Sequence, residues 1–385
     1  MRSRFQPWHH CVRPGILALF LLSLMTLPAC RSSSRGSDRL AEDSSAIEQI
    51  DNSLSFNNIT LEQADEKGQV VWQVFARQAA YNESKQYAIV RVPNGQLFQD
   101  GKAIYRVRSQ TGQVFEDGEK ILLKGQVEAT DLRTKAVLRG EEAEWRPQEG
   151  ILTIRNNVRG NHPQIQITAQ EGRLYDREQR MELKGQVLAV TAQNPVLAVR
   201  TDALTWFMKE ERVSSDRPTQ IRRLIQNRVT DIATGQKAEV NLKTQLVTLR
   251  QNAQIATSDP LMQVTSNELF WEAAQGLLRS EVPLTVLQPQ QQIALRANRG
   301  VMNLNTRLVD LAGNVQALAQ RDQSSLKSDT LNWNLNTRVF RANGNVNLRQ
   351  TNPPMVANGP QAVGRLENQT IVMSGGRVVS EFIPQ

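Results

Sequence analysis

The stretch Met181–Val190, MELKGQVLAV, recurs with small changes as ILLKGQVEAT at Ile121, VDLAGNVQAL at Val309 and FRANGNVNLR at Phe340. Apolar and polar residues alternate along each copy, which is typical of a β-strand with one buried face and one solvated face. A glycine stands in the middle of every copy. Because self-similarity at a regular period indicates stacked structural units, the sequence predicts a β-repeat protein.

Three kinds of position recur together at a spacing of about 30 to 35 residues, which lies within the range of known repeat architectures. Each unit has a residue that closes its first strand, a small residue shortly before it and a glycine-like position after it. The strand-closing positions are Tyr81, Phe115, Trp145, Tyr175, Trp206, Asn241, Trp271, Asn303 and Trp333. The glycine-like positions are Gly125, Asn156, Gly185, Ser215, Gln251, Ser280, Gly313 and Gly344. The three series together predict one strand, turn and strand in each unit.

Short polar segments separate the two strands of a unit, such as RPQEG at Arg146, DREQR at Asp176 and LNTR at Leu304 and Leu335. Segments of this composition are typical of hairpin connections. Apolar residues with helical three-four spacing are almost absent from about Leu54 onward. The sequence therefore predicts an all-β fold of stacked antiparallel hairpin repeats of about 30 residues.

The N-terminus has the features of a secretory leader. Arginine residues precede the apolar segment Ile16–Leu27, which is followed by the sequence LPAC ending at Cys30. That segment is shorter than the roughly 20 apolar residues that span a bilayer. We therefore expect residues 1–30 to be a lipoprotein-type signal in which Cys30 becomes the lipid anchor, with an uncleaved transmembrane anchor as the alternative. The serine-rich, charged residues 31–53 are expected to form a flexible tether.

Few side chains are suited to catalysis. Once the leader is removed and Cys30 is acylated, the chain has no free thiol, and His162 is the one histidine that remains. A histidine zinc site, a Ser-His-Asp triad and a Cys-His nucleophile all need groups that are then absent. Paired carboxylates of a polysaccharide-cleaving enzyme are the remaining catalytic alternative, but we expect the densest acidic cluster, Glu141 to Glu144, on a solvated face. The sequence therefore predicts no enzyme, no metal site and no cofactor.

The chain carries a formal net charge of +8, from 46 basic and 38 acidic residues. An excess of positive charge suits nucleic acid or an anionic membrane. Because the basic residues are spread along the chain and form no block, we expect no nucleic-acid binding.

Three further segments share one pattern, VVWQVFARQAAY at Val70, ILLKGQVEA at Ile121 and IQITAQEGRLYDREQRMELKGQV at Ile165. They resemble the lipopolysaccharide-transport family of the membrane-anchored LptC component and the related LptA/OstA-like modules. The resemblance covers residues 54–175 as an LptC-like β domain, and residues 176–385 are similar to additional OstA/LptA-like β repeats. It implies an elongated open β-jelly roll, a half-pipe of stacked antiparallel strands with an accessible interior.

The resemblance also implies a localisation and a set of partners. The protein would lie on the periplasmic side of the cell envelope, anchored to the inner membrane rather than the outer one. It would accept lipopolysaccharide or a similar glycolipid from inner-membrane ABC transporter subunits. It would then pass the lipid to a periplasmic bridge protein or an outer-membrane translocon, unless its extra repeats replace a separate bridge. A non-catalytic envelope scaffold or adhesin built on β repeats is the alternative function.

The apolar face of the repeated phrase is the candidate lipid-binding surface. Its glycines have two interpretations, because glycine can mark a bend in a strand or leave space for a ligand. Under the second interpretation an acyl-chain groove is lined by Ile121, Leu123, Gly125, Val127, Leu183, Gly185, Val187, Leu311, Gly313, Val315, Gly344 and Val346. An open stack ends in unpaired backbone groups, so we expect residues 54–59 to contact the transporter and residues 371–379 the next bridge element.

Overall fold

A computed structural model describes residues 55–82, 86–99, 101–115, 118–321, 323–351, 354–366 and 370–382. The expected signal, anchor and tether, residues 1–53, lie outside these ranges. The described residues form β-strands and one short 3-10 turn, Pro289–Gln291, with no α-helix among them. No helix long and apolar enough to cross a membrane occurs in these residues. The predicted all-β class is confirmed.

The 28 strands formed by the described residues belong to one sheet. They are β1 (Ser55–Ala64), β2 (Val70–Tyr81), β3 (Tyr87–Arg91), β4 (Asn94–Gln99), β5 (Lys102–Arg108), β6 (Thr111–Phe115), β7 (Ile121–Asp131), β8 (Val137–Arg146), β9 (Ile151–Asn161), β10 (Ile165–Tyr175), β11 (Arg180–Thr191), β12 (Val196–Phe207), β13 (Arg212–Ser215), β14 (Thr219–Ile225), β15 (Arg228–Gly235), β16 (Lys237–Asn241), β17 (Leu246–Ser258), β18 (Leu261–Glu272), β19 (Leu277–Ser280), β20 (Leu284–Gln288), β21 (Ile293–Ala297), β22 (Arg299–Asn303), β23 (Leu308–Ala319), β24 (Ser324–Asn334), β25 (Val339–Gln350), β26 (Met355–Arg365), β27 (Thr370–Ser374) and β28 (Val379–Phe382).

The sheet is an antiparallel meander in which each strand pairs with its near neighbours in sequence. Long strands such as β7 and β8 pair along most of their length. Where a strand is divided, its two parts pair with two halves of one neighbour, as β13 and β14 do with β12. Strand β10 ends at position 175, the expected domain boundary, and it pairs with β11, which follows the boundary. The sheet therefore continues through it. The division into LptC-like and OstA-like parts stays a prediction.

The long strands that carry a glycine-like position bend sharply there. In β7 the register shifts between Lys124 and Val127, so that Gly125 and Gln126 form a bulge against β8. Both bulge residues have positive φ, +77° and +48°. The same pair of left-handed residues recurs at Asn156–Asn157, Gly185–Gln186, Gln251–Asn252, Gly313–Asn314 and Gly344–Asn345. A bulge of this kind turns a strand abruptly, so each long strand has two arms.

The arms end at two rows of turns, which define the geometry of the interior. We call the first row seam A; it comprises the turns at 131–137, 161–165, 191–196, 225–228, 258–261 and 288–293. The second row, seam B, comprises the turns at 146–151, 175–180, 207–212, 241–246, 272–277, 303–308 and 334–339. Arm A is the half of each strand next to seam A, and arm B is the half next to seam B. Side chains of the two seams contact each other, so the arms fold over a shared core.

The core between the arms follows the alternation read from the sequence. In β7, Ile121 and Leu123 of arm B and Val127 and Ala129 of arm A are all buried, while Lys124 is exposed. Buried residues of all the long strands form one continuous hydrophobic cluster. The predicted one-sided sheet, dry inside and solvated outside, is therefore confirmed.

Candidate functional site

The strand-closing positions of the repeat form a row along arm B beside seam B. Trp145, Trp206, Trp271 and Trp333 lie one residue before the end of their strands and are at most 4% exposed. Trp206 packs edge to face against His162 of seam A, with ring centroids 4.8 Å apart. The tryptophans therefore lie where the two arms meet beneath the seams.

The apolar residues expected to line a groove lie deep in the core. Each is at most 4% exposed, and the set comprises Ile121, Leu123, Val127, Leu183, Val187, Leu311, Val315 and Val346. They lie next to the bends, where arm A and arm B of each strand join. Two cavities between the seams, described below, do not touch any of these residues. Their contact with an acyl chain stays a prediction.

The glycines of that predicted set face away from the core. A Cβ built on Gly185 would lie 2.8 Å from Cβ and Cγ of Gln170, whose side chain is exposed on the outer surface. Gly125, Gly313 and Gly344 likewise face the exposed side chains of Gln110, Asn298 and Asp329. Together with their positive φ, this favours the interpretation in which the glycines turn the strand, and their role as gaps in a groove stays a prediction.

A cavity of about 310 Å³ lies between the seams in the first half of the sheet. Its walls are mainly apolar and come from both arms, with Leu152, Ile165, Leu174, Met181 and Trp206 among them. Polar side chains stand at its rim, including Tyr105, Asp131, His162, Asp176 and Gln179. The cavity is thus an apolar space under a polar edge.

A second cavity, of about 650 Å³, lies between the seams near the C-terminal end. Its apolar wall includes Ile293, Leu295, Leu326, Leu331, Trp333, Phe340, Leu348, Leu366 and Ile371. Gln290, Gln291, Gln292, Arg321 and Arg338 line its polar edge. Both cavities fall within the range of volumes that ligand sites occupy.

A polar cluster joins the seams above the first cavity. The hydroxyl of Tyr105 donates a 2.7 Å hydrogen bond to Oδ1 of Asp176, and Nη2 of Arg133 donates to the same oxygen at 2.9 Å. Burial, reinforced by the charge of Asp176, raises the pKa of Tyr105, so the phenol stays protonated. Burial pushes the pKa of Asp131 upward, but hydrogen bonds from Arg133 and Thr134 outweigh it and leave that pKa below its usual value. The cluster is therefore a charged bridge across the opening.

Similar bridges recur along the seams, and we call them cross-seam latches. The Gln164 amide donates to the Glu211 carboxylate, and the Gln245 amide, 2% exposed, donates to the backbone oxygens of Gln193 and Pro195 at 3.3 and 2.9 Å. Each joins a turn of seam A to a turn of seam B.

Two further latches use arginine. Arg223 pairs with buried Asp231 at 2.5 Å and donates to the carbonyl of Ala273 in seam B at 2.9 Å. Arg307 of seam B binds both carboxylate oxygens of Asp259 at 2.7 Å. Five successive turns or turn-flanking strands of seam A are therefore tied to seam B.

The next pair of turns lacks such a latch. In the part of the chain that the structure describes, no hydrogen bond joins the turn at 288–293 to the turn at 334–339. The larger cavity opens between these two turns. The interior is thus bridged over its middle section and more open near its C-terminal end.

The latches and cavities could not be read from the sequence. The sequence does predict the rows of turns in which the latches and cavities lie, because the strand-closing tryptophans and the hairpin turns share the repeat period. The latch residues differ from one turn to the next, from arginine to glutamine, so they produce no repeated motif. Pairing across the seams also joins residues 43 to 52 positions apart, which a period of one repeat does not indicate.

These features define a class of protein, a bent antiparallel β-sheet with an apolar interior between two rows of turns. The described residues contain no group of three His, Cys, Asp or Glu side chains arranged to hold a metal ion. The model of one family, lipopolysaccharide-assembly, LptC-related, matches residues 16–153, 138–258 and 280–376. The chain therefore belongs to this family, which agrees with the resemblance noted in its sequence and with a non-catalytic role.

One solved structure similar to the chain is that of LptH from Pseudomonas aeruginosa, the LptA-homologous periplasmic component of the lipopolysaccharide transport device. The two are 13% identical, with a TM-score of 0.28, over 31% of this chain and 84% of that chain. No curated protein sequence matches the chain.

Proposed function

We propose that this protein is a non-catalytic carrier in the periplasm that transports lipopolysaccharide or a similar glycolipid towards the outer membrane. Membership of the lipopolysaccharide-assembly family, matched in three segments along the chain, is the observation that carries the proposal. In this function the protein accepts the lipid from an inner-membrane ABC transporter. It releases the lipid to a bridge protein or an outer-membrane translocon.

The interior between the arms is suited to acyl chains. Burial of each methylene group stabilises a bound chain by about 0.8 kcal/mol, so apolar walls suffice without specific polar contacts. We place the chains first in the larger cavity, beside Leu295, Trp333 and Leu348, because the latches do not cross it. Its rim residues Gln292, Arg321 and Arg338 can hydrogen-bond the hydroxyl and phosphate groups of a head group that remains outside.

The ends of the sheet are suited to partner binding by strand addition. Among the described strands, β1 pairs only with β2, and β27 and β28 pair only with β26. Unpaired backbone N–H and C=O groups along such edges can pair with a strand of another protein. We assign the β1 edge to the transporter and the β27 and β28 edge to the next bridge element, with Cys30 as the inner-membrane lipid anchor.

Adjacent residues on β27 allow a matched test of the lipid site. Ile371 lines the larger cavity, whereas the neighbouring Val372 is 63% exposed on the outer face. A photoreactive amino acid placed at position 371 should give covalent lipid adducts in cells, and the same group at position 372 should give few. The adducts are identified by mass spectrometry.

Equal adducts at both positions would show that the lipid is not held in the interior. Complete absence of lipid, from the adducts and from the copurified native protein alike, would favour the envelope scaffold instead. Both variants are compared with the unmodified protein by circular dichroism, so that loss of the fold is recognised.

The edge assignment has its own test. Deleting residues 370–385 removes β27 and β28 but leaves β26 in place. The truncated protein should lose its downstream partner in a pull-down while retaining the transporter. Loss of both partners with an intact circular dichroism spectrum would contradict the division of roles between the two edges.

A further inference from the structure

Towards the C-terminal end of the sheet, the outer face of arm A lacks the ion pairs found elsewhere on the outer surface. On arm B, several arginines pair with acidic neighbours, as in Arg155 with Glu171 at 3.0 Å and Arg250 with Glu268 at 2.7 Å. On arm A near the C-terminal end, exposed Arg296, Lys327 and Arg349 form no ion pair within the described residues. The arm A portions of β20, β21, β23, β24 and β25 contain no acidic residue. This part of the face therefore has a net positive charge, and the acidic residue that adjoins it is exposed Asp329, at the bend two residues after Lys327.

Two exposed leucines lie among these cations. Leu287 on β20 and Leu318 on β23 are 37% and 47% exposed. The register runs from Leu287 through Ala294 to Leu318, so the leucines stand two strand spacings, or about 10 Å, apart on one face. Arg296 lies beside Gln316, and Gln316 beside Lys327, in the adjacent row. The patch thus combines apolar and basic side chains within a few strands.

The same patch borders the open part of the interior. Leu318 lines the larger cavity, and so does Arg321 in the following turn. A surface that contacts this patch would therefore also lie at the edge of the unlatched opening.

We propose that this patch, formed by Leu287, Leu318, Arg296, Lys327 and Arg349, docks on the surface of an anionic lipid bilayer. Phosphate head groups complement the unpaired basic side chains, and the interfacial region of a bilayer takes exposed leucines. An anionic polymer would satisfy the charges but would leave the two leucines in water. The combination of both residue types therefore selects a bilayer, and the contact does not require that the interior carries lipid.

The experiment uses the full chain with vesicles of phosphatidylglycerol and phosphatidylcholine that contain no lipopolysaccharide. A photoreactive amino acid at position 318 should form phospholipid adducts, while the same group at position 301, on the outer face of arm B, should form few. Val301 is a matched control because it is 39% exposed. Comparing two sites in one chain separates this contact from any attachment through the N-terminus.

Removing the charges tests their contribution. The triple variant Arg296→Gln, Lys327→Gln and Arg349→Gln should lower the ratio of docked to undocked protein by roughly a hundredfold at low ionic strength. The control variant Lys184→Gln, Arg299→Gln and Arg341→Gln removes the same charge from exposed positions of arm B and should leave the ratio unchanged. Vesicles of phosphatidylcholine alone should give few adducts at position 318.

Several outcomes would overturn the proposal. These are equal adducts at positions 318 and 301, adducts that survive the triple substitution or high salt, and crosslinks at position 318 to a second copy of the chain. Because the vesicles lack lipopolysaccharide, failure here leaves the carrier function intact. Conversely, a protein that carries no glycolipid can still show this contact.

Discussion

Replacing Gly185 by alanine should destabilise the sheet without emptying its interior. Gly185 is the first residue of a bend, with φ of +76°, and its missing side chain faces Gln170 on the outer surface. An alanine Cβ at this position would lie 2.8 Å from Cβ and Cγ of Gln170, which is too close for ordinary contact.

The magnitude follows from two contributions. A residue other than glycine loses roughly 1–2 kcal/mol in the left-handed conformation. Relieving the contact adds about 1 kcal/mol, the lower end of the overpacking range, because Cγ of the exposed Gln170 side chain can rotate away and only its Cβ has to shift with the backbone. We therefore expect a loss of about 2–3 kcal/mol. Asparagine tolerates the left-handed region better, and Asn156 has φ of +62° at the corresponding bend, so Gly185→Asn should cost less than Gly185→Ala.

The assay is urea unfolding followed by circular dichroism, with hydrogen exchange around the bend as a local readout. Glycolipid crosslinking at position 371 should be the same in the wild type and both variants, because the glycine does not open onto the core. An unchanged unfolding midpoint for Gly185→Ala, or an equal loss for Gly185→Asn, would refute the bend argument. Loss of crosslinking with unchanged stability would restore the glycine as a gap in the lipid groove.

Three other predictions concern the latches and the anchor. Asp231→Asn should lower the free energy of unfolding by about 3–5 kcal/mol, because it leaves buried Arg223 without its partner charge. Asp259→Asn, at an exposed ion pair, should lower it by at most about 1 kcal/mol. Urea unfolding compares the two variants, and equal losses would contradict the burial argument. The pKa of Asp131 is lower in the folded than in the unfolded protein, so its carboxylate stabilises the fold above about pH 4 and this stabilisation is lost as the pH falls below that. The free energy of unfolding should therefore depend less on pH between pH 5 and 2 in Asp131→Asn than in the wild type. An identical pH dependence in the two proteins would exclude the contribution. Cys30→Ala should release the protein into the soluble periplasmic fraction, while retention in the membrane with the leader attached would favour an uncleaved helix.

Much of the fold follows from the sequence, because short-range chemistry determines it. The alternation of Ile121, Leu123 and Val127 with Lys124 gives the strand and its buried face, and DREQR at Asp176 gives a turn. The bends were also indicated, since glycine in a strand interior is suited to a bulge. The sequence does not indicate which side of the sheet the missing side chain of Gly185 faces, because the direction of a Cβ at this position depends on a local φ that the residue type does not fix.

The site was less accessible to sequence reasoning. The sequence predicts that apolar residues of the strand interiors, such as Leu183, line a groove, but alternation cannot distinguish a packed core from an open trough. The two cavities between the seams lie at the strand ends, beside Trp206 and Trp333, and depend on how two distant turns meet. Contacts such as Gln245 with Pro195 require the three-dimensional path of the chain.

The meander has a consequence for the way this protein can reach its folded state. Because the strands pair with near neighbours in sequence, no distant segment has to be synthesised before a given strand can pair. The latches come later, since each needs a turn some 43 to 52 residues further along the chain. A chain that emerges gradually from a translocation channel can therefore build the sheet from its first strand onward, with each opening bridged only after several more strands have been added. Repeat proteins of this kind gain stability from successive neighbour interfaces, which suits such a directional process.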